Sequence, residues 1–201
     1  GAVAADPGQR IGGIDLLDPD ERRTILVDWN DTDRPIPDAT LPELFEAQAA
    51  RSPDATALVF EDQALSYAQL NARANRLAHR LIALGAGPET LVGLCLERSI
   101  DMVVGLLAIL KAGAAYLPLD PAYPPERLAF MLKDADPRLV LTAAGADRTL
   151  PDTAPLLRLD DTALIAALDR SPTTNPTDIL RTLPLRTLHP AYLIYTSGST
   201  G

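Results

Sequence analysis

The chain contains 201 residues, of which 47% are hydrophobic and 22% charged, so it is long enough to bury a sizeable core. Its formal net charge of −9 opposes binding to nucleic acid. The longest apolar run, residues 102–110, is too short to cross a membrane. The single cysteine, Cys95, allows no disulfide within the chain and lies in an apolar run. It is predicted to be a buried core residue, and a reducing, cytoplasmic location fits.

Residues 1–40 differ in amino-acid composition from the rest of the chain. A Gly-rich start leads to a short amphipathic stretch, residues 14–26, and then to an Asp-, Pro- and Thr-rich stretch. Two interpretations remain open, a solvated N-terminal arm and a linker from an upstream domain. Because the sequence starts on Gly and stops within a run of Gly, Ser and Thr, we expect it to be a piece of a longer protein.

From residue 41 the sequence predicts a helix, a hairpin and a second, longer helix. Thr40 and Glu43 have the spacing of a capping box at the start of the first helix. Two strand-like runs, residues 56–60 and 64–67, predict the hairpin. An apolar stripe on the longer helix indicates that this helix covers a sheet. The stripe consists of Leu70, Ala74, Leu77, Leu81 and Leu84.

The next part of the chain alternates between predicted strands and helices. The strands are residues 91–96, 114–119 and 138–142, and the helices are residues 100–113 and 125–135. This alternation is typical of an α/β fold with a mostly parallel sheet flanked by helices. Beyond it, residues 156–160 and 161–168 predict a short strand and a short helix. Residues 171–190 predict a long irregular connection.

The sequence closes with an apolar run, residues 191–195, followed directly by hydroxyl and glycine residues. The run predicts a strand. Glycines let a backbone approach a ligand closely, and successive N–H groups can converge on an anion. The candidate phosphate-binding residues are Thr196, Ser197, Gly198, Ser199, Thr200 and Gly201. Neither a Walker loop nor a GxGxxG motif is present, and a flexible Ser/Gly linker remains an alternative.

Other chemistries have little support in the sequence. The two histidines, His79 and His189, lie outside any cluster with metal-ligand spacing. No GxSxG motif marks a nucleophilic serine, and no spacing singles out a pair of catalytic carboxylates. We therefore predict neither a metal site nor a catalytic residue in this chain.

Several segments together resemble one known family. The loop at residues 196–201 resembles the phosphate-binding loop of the adenylate-forming enzymes, which include acyl-CoA synthetases, luciferases and the adenylation domains of nonribosomal peptide synthetases. Residues 65–81 and 110–121 resemble the first and second core motifs of amino-acid-activating adenylation domains. Residues 123–142 follow the same subfamily, and residues 16–32 resemble the linker between a condensation domain and an adenylation domain.

The resemblance implies an activity for the parent protein. ATP and Mg²⁺ would convert an amino acid to aminoacyl-AMP, and the aminoacyl group would pass to the phosphopantetheine thiol of a peptidyl carrier domain. Such enzymes belong to antibiotic or siderophore biosynthesis. Further implied partners are an upstream condensation domain and a small MbtH-like protein. Residues 1–40 would be the linker, and residues 41–201 the N-terminal part of the large subdomain, ending within the loop that binds the ATP phosphates.

The resemblance implies no catalytic residue here, because the amino-acid pocket and the catalytic lysine lie further downstream in the family. Tyr67, Leu70 and Lys111 are interpreted as packing or helix-surface positions, with Lys111 favoured by the helix dipole. We expect the isolated chain to be inactive and to aggregate or be partly ordered. Two alternatives remain, an acyl-CoA or aryl-acid ligase of the same superfamily and a non-catalytic docking or scaffold module.

Overall fold

The computed structural model describes Gly8, residues 17–152 and residues 155–196. The backbone divides into two units, residues 1–37 and residues 38–201. The first unit contains helix α1, Pro19–Leu26, and a 3-10 turn, Asp28–Asn30. Asp18 caps α1 in a reciprocal capping box with Glu21. None of the described residues of this unit is buried.

The second unit contains five helices and six strands within its described residues. The helices are α2 (Leu41–Arg51), α3 (Tyr67–Ala83), α4 (Ile100–Ala112), α5 (Pro125–Ala135) and α6 (Thr162–Asp169). The strands are β1 (Thr56–Phe60), β2 (Gln63–Ser66), β3 (Leu91–Leu94), β4 (Ala115–Pro118), β5 (Leu139–Thr142) and β6 (Leu156–Arg158). Short 3-10 turns occupy Ala146–Thr149 and Asp178–Leu180. These elements confirm the predicted order, with ends that differ by one or two residues.

The central feature is a parallel sheet. Strands β1 and β2 form a separate antiparallel hairpin. The other four strands pair in the order β4-β3-β5-β6, and every pair is parallel. All four residues of β5 are buried, as expected of a strand covered on both faces. The predicted α/β class with a parallel sheet is therefore confirmed.

Two hydrophobic clusters hold helices against the sheet. One joins sheet residues to α3 and α4, and the other joins them to α5. The first contains Leu70, Leu77, Leu81, Val92, Leu94, Val104, Ala108, Ile109, Leu139 and Leu141. The second contains Cys95, Leu117, Leu119, Leu128, Met131, Leu132 and Val140. Since full burial of one Leu side chain contributes about 1.5–3 kcal/mol, these clusters dominate the stability of the unit.

Helix α3 presents the predicted stripe to the core, and one polar residue accompanies it. Leu70 and Leu81 are buried, whereas Leu84 is only partly buried. Asn75 has no exposed surface, although the stripe gave no reason to expect a buried amide. Its side-chain nitrogen donates to the Thr173 carbonyl at 2.6 Å and to Asn175 Oδ1 at 2.9 Å. These bonds attach the irregular connection to α3.

The position of Lys111 corrects the sequence-based interpretation. We expected a packing or helix-surface residue favoured by the helix dipole, but the Lys111 side chain is completely buried and ion-paired with Glu46 of α2. Its nitrogen also donates to Asn175 Oδ1 at 3.3 Å and lies 5.8 Å from the centroid of the Phe45 ring. Burial lowers the pKa of Lys111, and the hydrogen bond to Glu46 opposes that shift.

Arg181 attaches the same connection to the end of α4. Its guanidinium donates to the Lys111 carbonyl at 2.7 Å and to the Pro176 carbonyl at 3.2 Å. It also pairs with Asp178 at 2.7 Å. An arginine at this place satisfies a carbonyl that the helix itself leaves without a partner. The connection between α6 and residue 191 is therefore irregular but anchored.

Gly113 ends α4, as predicted. Its φ of +94° lies in the left-handed region, where glycine is favoured. A Cβ at this position would lie 3.0 Å from Cδ of Pro88. Both the backbone conformation and the close neighbour therefore require glycine, and they fix the turn that leads from α4 into β4.

Removal of the Glu46 carboxylate is expected to destabilise the domain strongly. In the variant Glu46→Ala the Lys111 ammonium stays buried without its partner. We expect a loss of about 3 kcal/mol in the free energy of unfolding, the lower end for a buried pair because Glu46 keeps a fifth of its surface exposed. Urea unfolding followed by circular dichroism, with all variants in the complete domain, measures this loss.

Two comparisons test the reason for this loss. The double variant Glu46→Leu with Lys111→Met should regain most of the stability, because no charge is then left buried. Asp169→Ala breaks an exposed pair with Arg76 at 3.8 Å and should cost at most about 0.5 kcal/mol. Equal losses for Glu46→Ala and Asp169→Ala would contradict the assignment of a buried pair.

The variant Glu46→Ala should also change the dependence of the free energy of unfolding on pH. Without Glu46 the folded-state pKa of Lys111 falls further below its ordinary value of 10.5. Between these two pKa values the unfolded chain binds more protons than the folded chain. The free energy of unfolding of the variant therefore rises with pH in this window. Because the pKa of Lys111 is lowered less in the wild type, the deficit of Glu46→Ala should shrink between the folded-state pKa of the variant and that of the wild type, both below 10.5. A deficit that stays constant up to that pH would contradict burial of the charged amine.

Substitution of Gly113 separates backbone strain from steric contact. Gly113→Ala should cost about 2 kcal/mol, combining a left-handed φ with the contact to Pro88. Gly145 has a similar φ of +96°, a ψ of −42° instead of 0°, and nothing within 4 Å of a new Cβ, so Gly145→Ala reports backbone strain alone. Thermal unfolding of both variants provides the measurement. A loss below about 1 kcal/mol for Gly113→Ala, no more than the cost of its left-handed φ, would show that the contact with Pro88 is unimportant.

Candidate functional site

The carboxyl ends of the parallel strands define one edge of the sheet. Strands β3, β4 and β5 end at Leu94, Pro118 and Thr142. Residues 191–195 lie alongside β4 in the same direction, with a parallel bridge between Tyr116 and Tyr192. Thr196 therefore follows at this same edge, which is where ligands usually bind in open α/β sheets.

The structure differs from the predicted strand over residues 191–195. Only one bridge to β4 forms, from the Tyr116 N–H to the Ala191 carbonyl at 3.1 Å and from the Leu193 N–H to the Tyr116 carbonyl at 3.0 Å. In a parallel ladder the next donor of β4 facing this segment is two residues on, at Pro118. Proline has no N–H, so the ladder ends there.

The segment nevertheless keeps the alternation of a strand. Leu193 and Tyr195 pack against the cluster that joins the sheet to α5. Tyr192 and Ile194 point away from that cluster and remain exposed by 56% and 54%. The Tyr192 ring rests on Tyr116, with the ring centroids 5.7 Å apart.

Tyr195 forms the connection between this segment and α5. Its hydroxyl donates to the Asp134 carboxylate at 2.5 Å and lies 3.5 Å from the Met131 carbonyl. The Phe130 ring meets it edge to face, with the centroids 6.2 Å apart. Burial and the nearby Asp134 carboxylate raise the pKa of Tyr195 to about 12, so the phenol remains a donor at neutral pH. No site role was predicted from the sequence for Tyr195 or Asp134.

The predicted phosphate-binding residues fall at the boundary of the described structure. Thr196 is exposed at the end of the segment. Ser197, Gly198, Ser199, Thr200 and Gly201 lie outside the described residues. Their role in binding phosphate stays a prediction, supported here by the position and direction of the segment that leads to them.

A second possible ligand site at this edge lies between the ends of β3 and β5, but its backbone N–H groups are already hydrogen-bonded. The connections from β3 and β5 leave in opposite directions, a point where such sheets often bind ligands. After β5, the Ala144 N–H donates to Asp160 at 3.0 Å and the Gly145 N–H to Asp147 at 3.2 Å. Asp147 also pairs with Arg158. Asp160 and Asp147 therefore already accept the hydrogen bonds that these two N–H groups could otherwise donate to an anionic ligand.

Cys95 follows β3 directly and is fully buried, as predicted. Its thiol lies 3.5 Å from the Ala146 carbonyl. Burial, with a smaller contribution from Asp120, raises the pKa of this thiol to about 11. It is therefore protonated at neutral pH and unsuited to act as a nucleophile.

Metal-ligand clusters are not found in the described ranges, residues 17–152 and 155–196, where no three His, Cys, Asp or Glu residues come together suitably. His79 Nε2 donates to the Thr174 carbonyl at 2.9 Å, and His189 Nδ1 accepts from the Arg186 N–H at 3.0 Å. Both histidines therefore support the irregular connection. No helix in the part of the chain that the structure describes is sufficiently long and apolar to cross a membrane.

Comparison with known proteins gives a consistent set of relatives. The chain is 53% identical over 202 residues to a dimodular nonribosomal peptide synthase of Bacillus subtilis (strain 168). It is 52% identical over 207 residues to chondramide synthase cmdD of Chondromyces crocatus. Both alignments cover 100% of this chain, but it spans only 8% and 5% of the length of these curated relatives.

Solved structures give the same result. A crystal structure of a variant of the nonribosomal peptide synthetase FmoA3 matches with a TM-score of 0.78 and 33% identity, over 97% of this chain and 20% of that one. The AMPPNP-bound form of that protein matches with a TM-score of 0.77 and 32% identity, over the same shares of 97% and 20%. The AMP-binding enzyme family matches residues 45–201. Since this match spans well over half of the sequence, the chain belongs to the AMP-binding enzyme family.

Proposed function

We propose that this chain is the N-terminal part of an adenylation domain in a nonribosomal peptide synthetase, and that the whole enzyme activates an amino acid with ATP as aminoacyl-AMP. One observation carries the proposal. The single bridge between Tyr116 and Tyr192 aligns residues 191–195 with β4, so that the Gly-, Ser- and Thr-rich loop begins at the carboxyl edge of the sheet. Membership of the AMP-binding family and the synthetase relatives support it.

The proposed role of the loop is to hold the phosphate groups of ATP. Backbone N–H groups and uncharged hydroxyls suit a polyanion, because they donate hydrogen bonds without the desolvation cost of buried charge. The residues assigned to this role are Thr196, Ser197, Gly198, Ser199, Thr200 and Gly201. The AMPPNP-bound form of the FmoA3 relative supports the binding of an ATP-like nucleotide by the complete enzyme.

The chemistry to be served is the joining of two anions. The amino-acid carboxylate attacks the α-phosphorus of ATP and pyrophosphate leaves, which converts a poor acyl donor into a good one. The protein must hold both groups in line and stabilise the charge that develops between them. A Mg²⁺ ion bound together with ATP would neutralise part of the phosphate charge.

The remaining domain assignments belong to the same proposal. Residues 1–40 form the linker from an upstream condensation domain, and residues 41–201 begin the adenylation domain. The aminoacyl group passes to the phosphopantetheine thiol of a carrier domain. A small MbtH-like protein is a further proposed partner. The multidomain synthetases among the relatives support the condensation-domain and carrier-domain partners.

Isotope exchange between pyrophosphate and ATP tests the function. The complete polypeptide that contains this chain should catalyse exchange that depends on one amino acid, because adenylation is reversible while pyrophosphate is present. The chain of 201 residues by itself should show none, since it spans only 8% and 5% of the length of the synthetase relatives. Exchange catalysed by the short chain would contradict the assignment of an incomplete site.

Controls in the same assay separate the alternatives. Exchange that depends on an aryl or fatty acid instead of an amino acid would indicate a different ligase. No exchange with any acid would favour a docking module. Within an active enzyme, Thr200→Val should raise the KM for ATP about tenfold, the effect of one hydrogen bond to a charged group. Thr162→Val makes the same atomic change at an exposed position of α6 and should have no effect.

A further inference from the structure

The loop at residues 196–201 leaves the sheet from a poorly hydrogen-bonded strand. Backbone hydrogen bonds to Tyr116 of β4 hold residues 191 and 193. The next position of β4 that faces this segment is Pro118, which has no N–H to donate. On the face opposite the α5 cluster, Tyr192 and Ile194 are more than half exposed. The backbone ladder alone therefore does not fix the direction of the chain where the loop begins.

The Tyr195 side chain makes the contacts that hold the segment at the point where the backbone ladder has ended. Its ring packs between Phe130 and the cluster under α5, and its hydroxyl donates to Asp134 at 2.5 Å. Helix α5 is in turn fixed to the sheet through the fully buried Leu128 and the nearly buried Met131. Tyr195 thus ties the residue directly before the loop to a rigid element.

We propose that Tyr195 is a positioning residue for the phosphate loop, and that its hydrogen bond to Asp134 sets the position and direction of the backbone at Thr196, the first residue of that loop. This inference rests on the proposed function. Tyr195 itself touches neither nucleotide nor amino acid, and it acts through the loop.

Geometry explains why such an anchor matters. Backbone N–H groups bind phosphate only when they converge at hydrogen-bond distance, and a displacement of about 1 Å can cost about a hundredfold in rate. Tyr195 immediately precedes the loop, so a small rotation at this residue moves every donor that follows. A bond between a phenol and a carboxylate is charge-assisted and short, which suits a fixed pivot.

The test uses matched tyrosine variants of the complete enzyme. Tyr195→Phe removes only the hydroxyl that donates to Asp134. Tyr192→Phe removes the same atom three residues earlier, on the opposite face of the segment, and serves as the control. We expect Tyr195→Phe to raise the KM for ATP in the exchange assay about tenfold, the effect of losing a charge-assisted hydrogen bond. The KM for the amino acid should stay within twofold, and Tyr192→Phe should match the wild type.

Variants of the acceptor complete the test. Asp134→Ala should reproduce the effect of Tyr195→Phe, and the double variant should be no worse than either single one, because both remove the same bond. Asp134→Asn keeps an acceptor oxygen and should restore part of the affinity for ATP. A readout without turnover is hydrogen exchange, which should quicken at residues 195–201 in Tyr195→Phe and not in Tyr192→Phe.

The outcomes distinguish this inference from the proposed function. An active wild type in which Tyr195→Phe and Tyr192→Phe have the same KM for ATP and the same hydrogen exchange would overturn the positioning role alone. A rise in both substrates' KM together with a lowered melting temperature would also overturn it, by indicating general destabilisation. A wild type without ATP-dependent exchange would overturn the proposed function, and this inference with it.

Discussion

The buried ion pair between Lys111 and Glu46 is the constraint on which the placement of the irregular connection depends. An ammonium group without exposed surface requires partners, and here they come from α2 and from Asn175 of the connection. The same region of the connection meets α3 through Asn75, and Arg181 fixes it to the last turn of α4. A segment without regular structure is thereby held at several points before it delivers residue 191 to the edge of the sheet.

The regular elements were predictable because their signals are local. Apolar periodicity gave α3, the alternation of strands and helices gave the parallel sheet, and Gly113 marked the end of α4. The partner of Lys111 was not predictable, because Glu46 lies 65 positions away in sequence and only the folded helices bring them together. The burial of Asn75 was not predictable either, because its partners Thr173 and Asn175 lie 98 and 100 positions away in sequence.

The anion-binding role of the loop stays a prediction from its hydroxyls and glycines, whereas the contacts that hold its start come from the fold. Pro118 within a predicted strand was a readable signal that the ladder on that side of β4 would be interrupted, and its consequence for residues 191–195 became visible only once their register was known. The pairing of Tyr195 with Asp134 joins positions that are 61 apart, beyond the reach of any local pattern.

These features together explain how residues 191–195 are held at an edge of the sheet where the backbone ladder stops. A full ladder along β4 would fix residues 191–195 by backbone bonds, leaving the start of the loop little freedom. Pro118 shortens the ladder, and the connection anchored by Lys111 and Arg181 fixes the chain before it reaches the sheet. Between that anchor and the loop, the direction of the chain depends on the Tyr195 side chain. A side-chain hydrogen bond can fix the start of the loop at a place where no further strand pairing is possible, which is the role proposed for Tyr195.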